Sequence, residues 1–193
     1  MKNQSIDRLM QIPFSRTIIT SIVTYREHEA TTKQCKKTGW TFSEYRLNMI
    51  YQETADWIQN YTPINVNGLT VLDIGAGEGE TAKFYIEHGA KKVVCIEPCR
   101  NAFRILKDNA TRHREIAPIN KPFSLSDLSI NHDFLKIDIE GYEELLLNIK
   151  LEHPAIIELH GLQLRDRFQQ KGYRIIDTSG NGYGCLSYAL WKC

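Results

Sequence analysis

In LTVLDIGAGEGE, residues 69–80, an apolar run stops at an acid and gives way to three glycines in five positions. The run, with Val71, Leu72 and Ile74, reads as a buried strand. Gly75, Gly77 and Gly79 then read as a tight turn into a helix that opens at Glu80. Glycine lets backbone approach a ligand closely, and a helix N-terminus presents unpaired N–H groups, so this succession predicts a ligand-binding turn.

The segments that follow repeat the alternation. A helix through Phe84, Tyr85 and Ile86 is closed by Gly89, KKVVCIE forms a second strand ending at Glu97, and a helix runs through Phe103, Ile105 and Leu106. REIAPIN is a weak third strand interrupted by Pro118, FLKIDI a fourth, YEELLLNI a helix, PAIIELH a fifth strand, and LQLRDRFQQKG a helix ended by Gly172. YRIID and CLSYALW have no helix between them and are expected to pair antiparallel through the turn cluster Ser179-Gly180-Asn181-Gly182. The prediction is an α/β, doubly wound, seven-stranded, mostly parallel sheet with an antiparallel last strand.

Pro63 marks a change of character. Before it, Thr41-x-x-Glu44 resembles a capping box, and Leu47, Ile50, Tyr51, Ile58 and Tyr61 recur at helical spacing. Phe14, Ile18, Ile19, Ile22 and Val23 also fit one helical face, although their β-branched content leaves a strand open. Residues 1–62 are therefore expected to be a helical N-terminal extension packed on the core, and residues 63–193 the ligand-binding domain.

Lys and Arg number 24 against 23 Asp and Glu, for a net charge of +1 in 193 residues, which gives no global field toward nucleic acid or anionic membrane. No apolar run is long enough to span a bilayer, and the N-terminus has no signal-peptide pattern, so a cytoplasmic protein is expected. The five cysteines include no C-x-x-C pair, which disfavours both a disulfide framework and a zinc site.

The turn discriminates between ligands. A dinucleotide fingerprint places its third glycine at position 80, where this chain has Glu80. Glu78 and Glu80 also put two carboxylates where a pyrophosphate would sit. S-adenosylmethionine fits better than NAD, because it carries a sulfonium and an ammonium and no phosphate. Gly75, Ala76, Gly77 and Gly79 would form its loop, Asp73 would receive the ammonium, and Glu97 would grip the ribose diol.

In FLKIDIEG, residues 134–141, Lys136, Asp138 and Glu140 share a strand face with Phe134, while Leu135, Ile137 and Ile139 share the other. Beside the glycine strand, where strand order reverses, such charges belong to a site. Asp138 and Glu140 should approach the transferred group, with Lys136 neutralising one of them. His160, ending the fifth strand, is the candidate general base because its ordinary pKa lies near neutrality. Asp138, Glu140, Glu158 and His160 could instead gather a divalent cation.

With these segments in hand, the chain resembles the FkbM-type methyltransferases, within the Rossmann-like class that uses S-adenosylmethionine. VLDIGAGEG is similar to that family's first motif, and IEPCRNAFRILKDN to its second through Glu97, Pro98, Leu106 and Asn109. SLSDL with FLKIDIEGYE matches the third, and PAIIELHG places Glu158 and His160 where the family tends to have an acid and a histidine. The resemblance implies O-methylation of a hydroxyl on a sugar or other small molecule, with Pro98 joining the cofactor-binding residues. Gly77 departs from the Asn common at that position, and the connection from Glu97 to SLSDL is short. Arg100, Arg104, Lys107, Arg112, Arg114 and Lys121, with Lys33, Lys36 and Lys37, keep an RNA or DNA methyltransferase in view. A cofactor-binding protein of the same fold without catalysis is a third class.

Overall fold

The computed structural model describes residues 19–24, 31–35, 38–47, 64–177 and 186–191. Its first described elements overturn the expectation of a helical N-terminal extension. β1 (Ile19–Thr24), β2 (Thr31–Cys35) and β3 (Thr41–Ser43) form an antiparallel three-stranded sheet in the order β1-β2-β3. Ile19, Ile22 and Val23 follow strand propensity here over their helical spacing. Thr41 lies within β3, so the cap shifts two residues: the Ser43 hydroxyl accepts the Arg46 N–H at 3.1 Å where helical residues begin at 44. The helix expected through Ile50, Tyr51, Ile58 and Tyr61 lies outside the described residues.

The main sheet has seven strands. β4 (Thr70–Ile74), β5 (Lys92–Ile96), β6 (Ile116–Ile119), β7 (Phe134–Ile137), β8 (Ala155–His160), β9 (Arg174–Asp177) and β10 (Leu186–Trp191) lie in the order β6-β5-β4-β7-β8-β10-β9. The first five are mutually parallel, and β10 runs antiparallel to both β8 and β9. This is the doubly wound arrangement expected from the alternation, with the last strand inserted between β8 and β9. Pro118 fits because β6 is an edge strand, where a missing N–H interrupts no ladder on the solvent side. The helices α1 (Glu80–Glu87), α2 (Arg100–Arg112) and α3 (Leu162–Gln170) connect strands, while Leu125–Ser129 and Glu143–Asn148 form 3-10 turns. YEELLLNI is thus one short 3-10 segment, where an α-helix was expected.

Strand alternation divides the core. Val71, Val93, Cys95, Phe134 and Ile156 face one layer with Phe84, Tyr85 and Leu106. Leu72, Ile74, Val94, Ile96, Leu135 and Ile137 face the other with Leu146, Leu164 and Phe168. Trp40, Phe42 and Leu47 are buried in the first layer, which ties residues 38–47 to the core. Among the described residues, no helix is long and apolar enough to cross a membrane.

Reversal of strand order occurs between β4 and β7, where the backbones come closest. A Cβ on Gly75 would stand 1.7 Å from the Asp138 carbonyl oxygen, and Gly75 has φ +76°. Gly68 has a similar φ of +77° but open space around it. In urea denaturation, Gly68→Ala should cost about 1 kcal/mol, the strain of the left-handed backbone alone. Gly75→Ala should cost about 3 kcal/mol or more, because strain and backbone collision combine. Equal losses would show that this close approach does not constrain the fold.

Candidate active site

A cleft of about 760 Å³ opens at the carboxyl ends of β4, β5, β7 and β8. The glycine turn forms its floor, and all five of its backbone N–H groups are already engaged. Gly75 and Ala76 donate to the Ile96 carbonyl at 2.9 and 3.2 Å, and Gly79 donates to the Ala76 carbonyl at 2.9 Å. Gly77 donates to Glu97 Oε2 at 2.8 Å and Glu78 to Glu80 Oε2 at 2.9 Å. The turn is therefore no cradle of free donors for phosphate. Gly77 and the Glu80 carboxylate are packed together, since a Cβ on Gly77 would lie 2.4 Å from Glu80 Oε1.

Glu97 ends β5 at the cleft, with Oε1 accepting the Cys99 N–H at 2.7 Å. Each of its oxygens keeps a second acceptor position after these bonds. Burial raises its pKa, opposed by the N–H bonds from Cys99 and Gly77. Pro98, Cys99, Ala102, Pro122 and Phe123 make an adjoining wall of small and apolar groups. Asn120 braces this wall from outside by donating to the Glu97 carbonyl at 2.8 Å.

Asp73, Ala76 and Gly79 do not line the cleft. Asp73 is fully buried beneath the turn, accepting from the Thr81 hydroxyl at 2.5 Å and ion-paired to Lys136 at 3.3 Å. Lys136, its register partner across β4 and β7, also donates to the Gly75 carbonyl at 2.9 Å and lies 3.8 Å from Asp138 Oδ2. Burial alone would lower the Lys136 pKa, but Asp73, Asp138, Glu158 and Glu80 outweigh it and hold the group charged. Glu78 points away from the cleft to the Ser43 N–H and hydroxyl, at 2.7 and 2.5 Å. Glu80 stays at the cleft, paired with Arg46 at 3.1 Å, and burial pushes its pKa up to about 7.

Asp138, Glu140 and Glu158 line the β7 and β8 side of the cleft, and His160, which is not among the lining residues, stands behind them. His160 Nε2 stands 3.8 Å from Asp138 Oδ1 and 3.5 Å from Glu140 Oε2, while Nδ1 is 2.8 Å from Glu143 Oε1. Glu140 has φ +52°, uncommon for a residue with a side chain, and Gly141 follows at +101°. Burial would lower the His160 pKa, but the Glu143 hydrogen bond and the charges of Asp138, Glu143 and Glu158 raise it to about 9. The expectation that an ordinary pKa suits His160 as a base is thereby corrected. In the ligand-free protein it is an imidazolium at neutral pH.

Some residues in or behind the cleft carried no signal read from the sequence. Glu143 is the last letter of IEGYE, and its fully buried carboxylate fixes both His160 and the Gly141 N–H, the latter at 2.9 Å. Arg46 reaches the turn from far upstream, and only the three-dimensional fold brings it there. Pro122 and Phe123, directly before the capping box of Ser124 and Asp127, could have been suspected from that position.

No protein-family model and no curated protein sequence matches the chain. Solved structures do. A ribosomal protein L11 methylase from Lactobacillus delbrueckii subsp. bulgaricus superposes with a TM-score of 0.56 at 20% identity, covering 74% of this chain and 79% of that one. Aeropyrum pernix fibrillarin, in complex with natively bound S-adenosyl-L-methionine, gives 0.55 at 12% identity over 90% of this chain and 99% of that one. A precorrin-6y C5,15-methyltransferase from Geobacter metallireducens gives 0.52 at 16% identity, with coverage of 82% and 93%. The fold is that of the Rossmann-like class I methyltransferases. The FkbM-type resemblance is one of sequence motifs alone, which no family model matches.

The carboxylates around His160 set a pH dependence. Its folded pKa of about 9 lies above the ordinary 6.5, so the imidazolium's contribution is complete below about 6.5 and is lost as pH rises through 9. Denaturant unfolding of the ligand-free protein should show stability falling from pH 7 to 9.5, and His160→Gln should flatten that decline. A wild-type curve parallel to the variant's would show that the carboxylates do not hold the proton.

Proposed function

We propose that this chain is an S-adenosylmethionine-dependent methyltransferase that methylates a hydroxyl of a small molecule or glycan. One observation carries the reading: residues 75–79 spend every backbone N–H inside the protein, and carboxylates border the cleft. Such a site favours a cationic ligand over a pyrophosphate. The donor supplies an electrophilic methyl group on sulfur. Glu97 holds the ribose diol, the wall of Pro98, Ala102 and Phe123 covers the adenine, and Glu80, the acid of the turn that lines the cleft, attracts the ammonium and sulfonium.

Transfer to a hydroxyl needs the acceptor oxygen held in line with the methyl carbon, so positioning supplies much of the acceleration. Asp138 and Glu140 border the place where that acceptor would lie, and Tyr142 and Leu145, both exposed at the mouth, offer it an apolar surface. Two chemistries can activate the hydroxyl: proton acceptance by Asp138, or a divalent cation that lowers the hydroxyl's pKa. A small acceptor is favoured over RNA or DNA because the basic side chains are partly engaged. Lys33 is buried against Glu44, Arg112 pairs with Asp108, and Lys121 pairs with Asp127.

In calorimetry the protein should bind S-adenosylhomocysteine and not NAD, and Glu97→Ala should weaken that binding about tenfold or more through lost charged hydrogen bonds. Tight NAD binding would overturn the cofactor assignment. In a transfer assay over a panel of sugars and hydroxylated metabolites, Asp138→Asn should reduce turnover about a hundredfold. Normal turnover with a lowered melting temperature would make Asp138 a structural ion-pair partner.

A further inference from the structure

The acceptor side of the cleft holds a donor set beyond what methyl transfer alone requires. One oxygen each of Asp138 and Glu140 and one ring nitrogen of His160 lie within 4.8 Å of one another. A cation about 2.1 Å from each donor needs them about 3.0 to 3.5 Å apart. His160 Nε2 already stands at 3.5 Å from Glu140 and 3.8 Å from Asp138, and the two carboxylate oxygens, within 4.8 Å of each other, draw together to complete the set.

Two further features suit a metal. Glu143, fully buried, receives His160 Nδ1 at 2.8 Å, which fixes the ring and leaves Nε2 aimed at the two carboxylates. A carboxylate behind the far nitrogen of a ligating histidine is the usual support of such a ligand. Asp138 Oδ1 is itself buried with no hydrogen-bond donor, while Oδ2 faces Lys136. An oxygen so placed gains more from a cation than from water it cannot reach.

We propose that Asp138, Glu140 and His160 form a divalent-cation site of the Mn²⁺ type, which presents the acceptor hydroxyl to the methyl donor. Two carboxylates and one imidazole suit Mn²⁺ better than a softer metal, and three protein donors leave open coordination positions toward the cleft. The cation replaces the proton on Nε2, which passes to solvent. An acceptor with two neighbouring oxygens, such as a vicinal diol, can chelate at the open positions, and the bound hydroxyl loses its proton more readily. The acceptor's role rests on the methyltransferase reading, whereas the cation site stands on its own geometry.

The test is calorimetry and electron paramagnetic resonance of chelator-stripped full-length protein titrated with MnCl₂. One Mn²⁺ per chain should bind, and Asp138→Asn and His160→Gln should each weaken it about thirtyfold or more. Glu140→Gln provides a variant that cannot disturb the core, since that side chain is 84% exposed, and it too should weaken binding. Absence of Mn²⁺ binding at millimolar concentration, or binding unchanged in all three variants, would overturn the site and leave a network of ion pairs around an imidazolium. S-adenosylhomocysteine titrated into the same samples separates the two readings: its failure with Mn²⁺ binding intact would sink the methyltransferase and spare the cation site.

Discussion

A single buried ammonium holds the centre of this protein together. Lys136 lies beside Phe134 on one face of β7, almost without solvent exposure, and its charge is tolerable because Asp73 sits opposite it in register, supported by Asp138, Glu158 and Glu80. Removing either partner would leave an uncompensated charge in the core, which typically costs about 3–5 kcal/mol. The same ammonium bonds the Gly75 carbonyl and faces Asp138, so one charge links the core pair, the glycine turn and the acceptor side. A packed hydrophobe could stabilise the strands as well, but it could not fix the turn and the carboxylate together.

That arrangement explains which parts of the chain were legible. Apolar runs bounded by glycine and spaced by helices specify a parallel sheet locally, so all seven main strands were read from residue pattern. The strand ends were equally open to reading, because Glu97, Asp138, Glu140 and His160 are polar groups where buried strands stop. Asp73 shows the limit. Its place before the glycines suggested a ligand contact, yet its charge is met by Lys136, sixty-odd residues on, and no local pattern encodes that approach. Glu143 was missed for the same reason. The N-terminal strands were misread because β-branched residues at helical spacing satisfy two periodicities, and pairing across the chain decides between them.

The residues before the sheet contribute more than cover. Ser43 binds both oxygens of Glu78, Asn109 bonds Thr41 through both its backbone groups, and Arg46 pairs with Glu80. Trp40 stacks on His113 at 4.0 Å beside these bonds. The acids of the glycine turn, which read as ligand groups in sequence, are thus divided: Glu78 anchors the upstream segment and Glu80 remains at the cleft. These contacts add to the backbone bonds that already hold the three-glycine turn.

The insertion of β10 between β8 and β9 has a consequence for the order in which the molecule can be built. The strands β4 to β7, with the glycine turn and Glu97, are contiguous in the chain, so a nascent polypeptide can assemble that part of the cleft early. β8 waits, because its second edge is completed only by residues 186–191. His160 and Glu158 ride on that strand, whose second partner is made later in the chain. The two sides of the sheet therefore mature at different times during synthesis, with the β8 side completed only when residues 186–191 enter the gap.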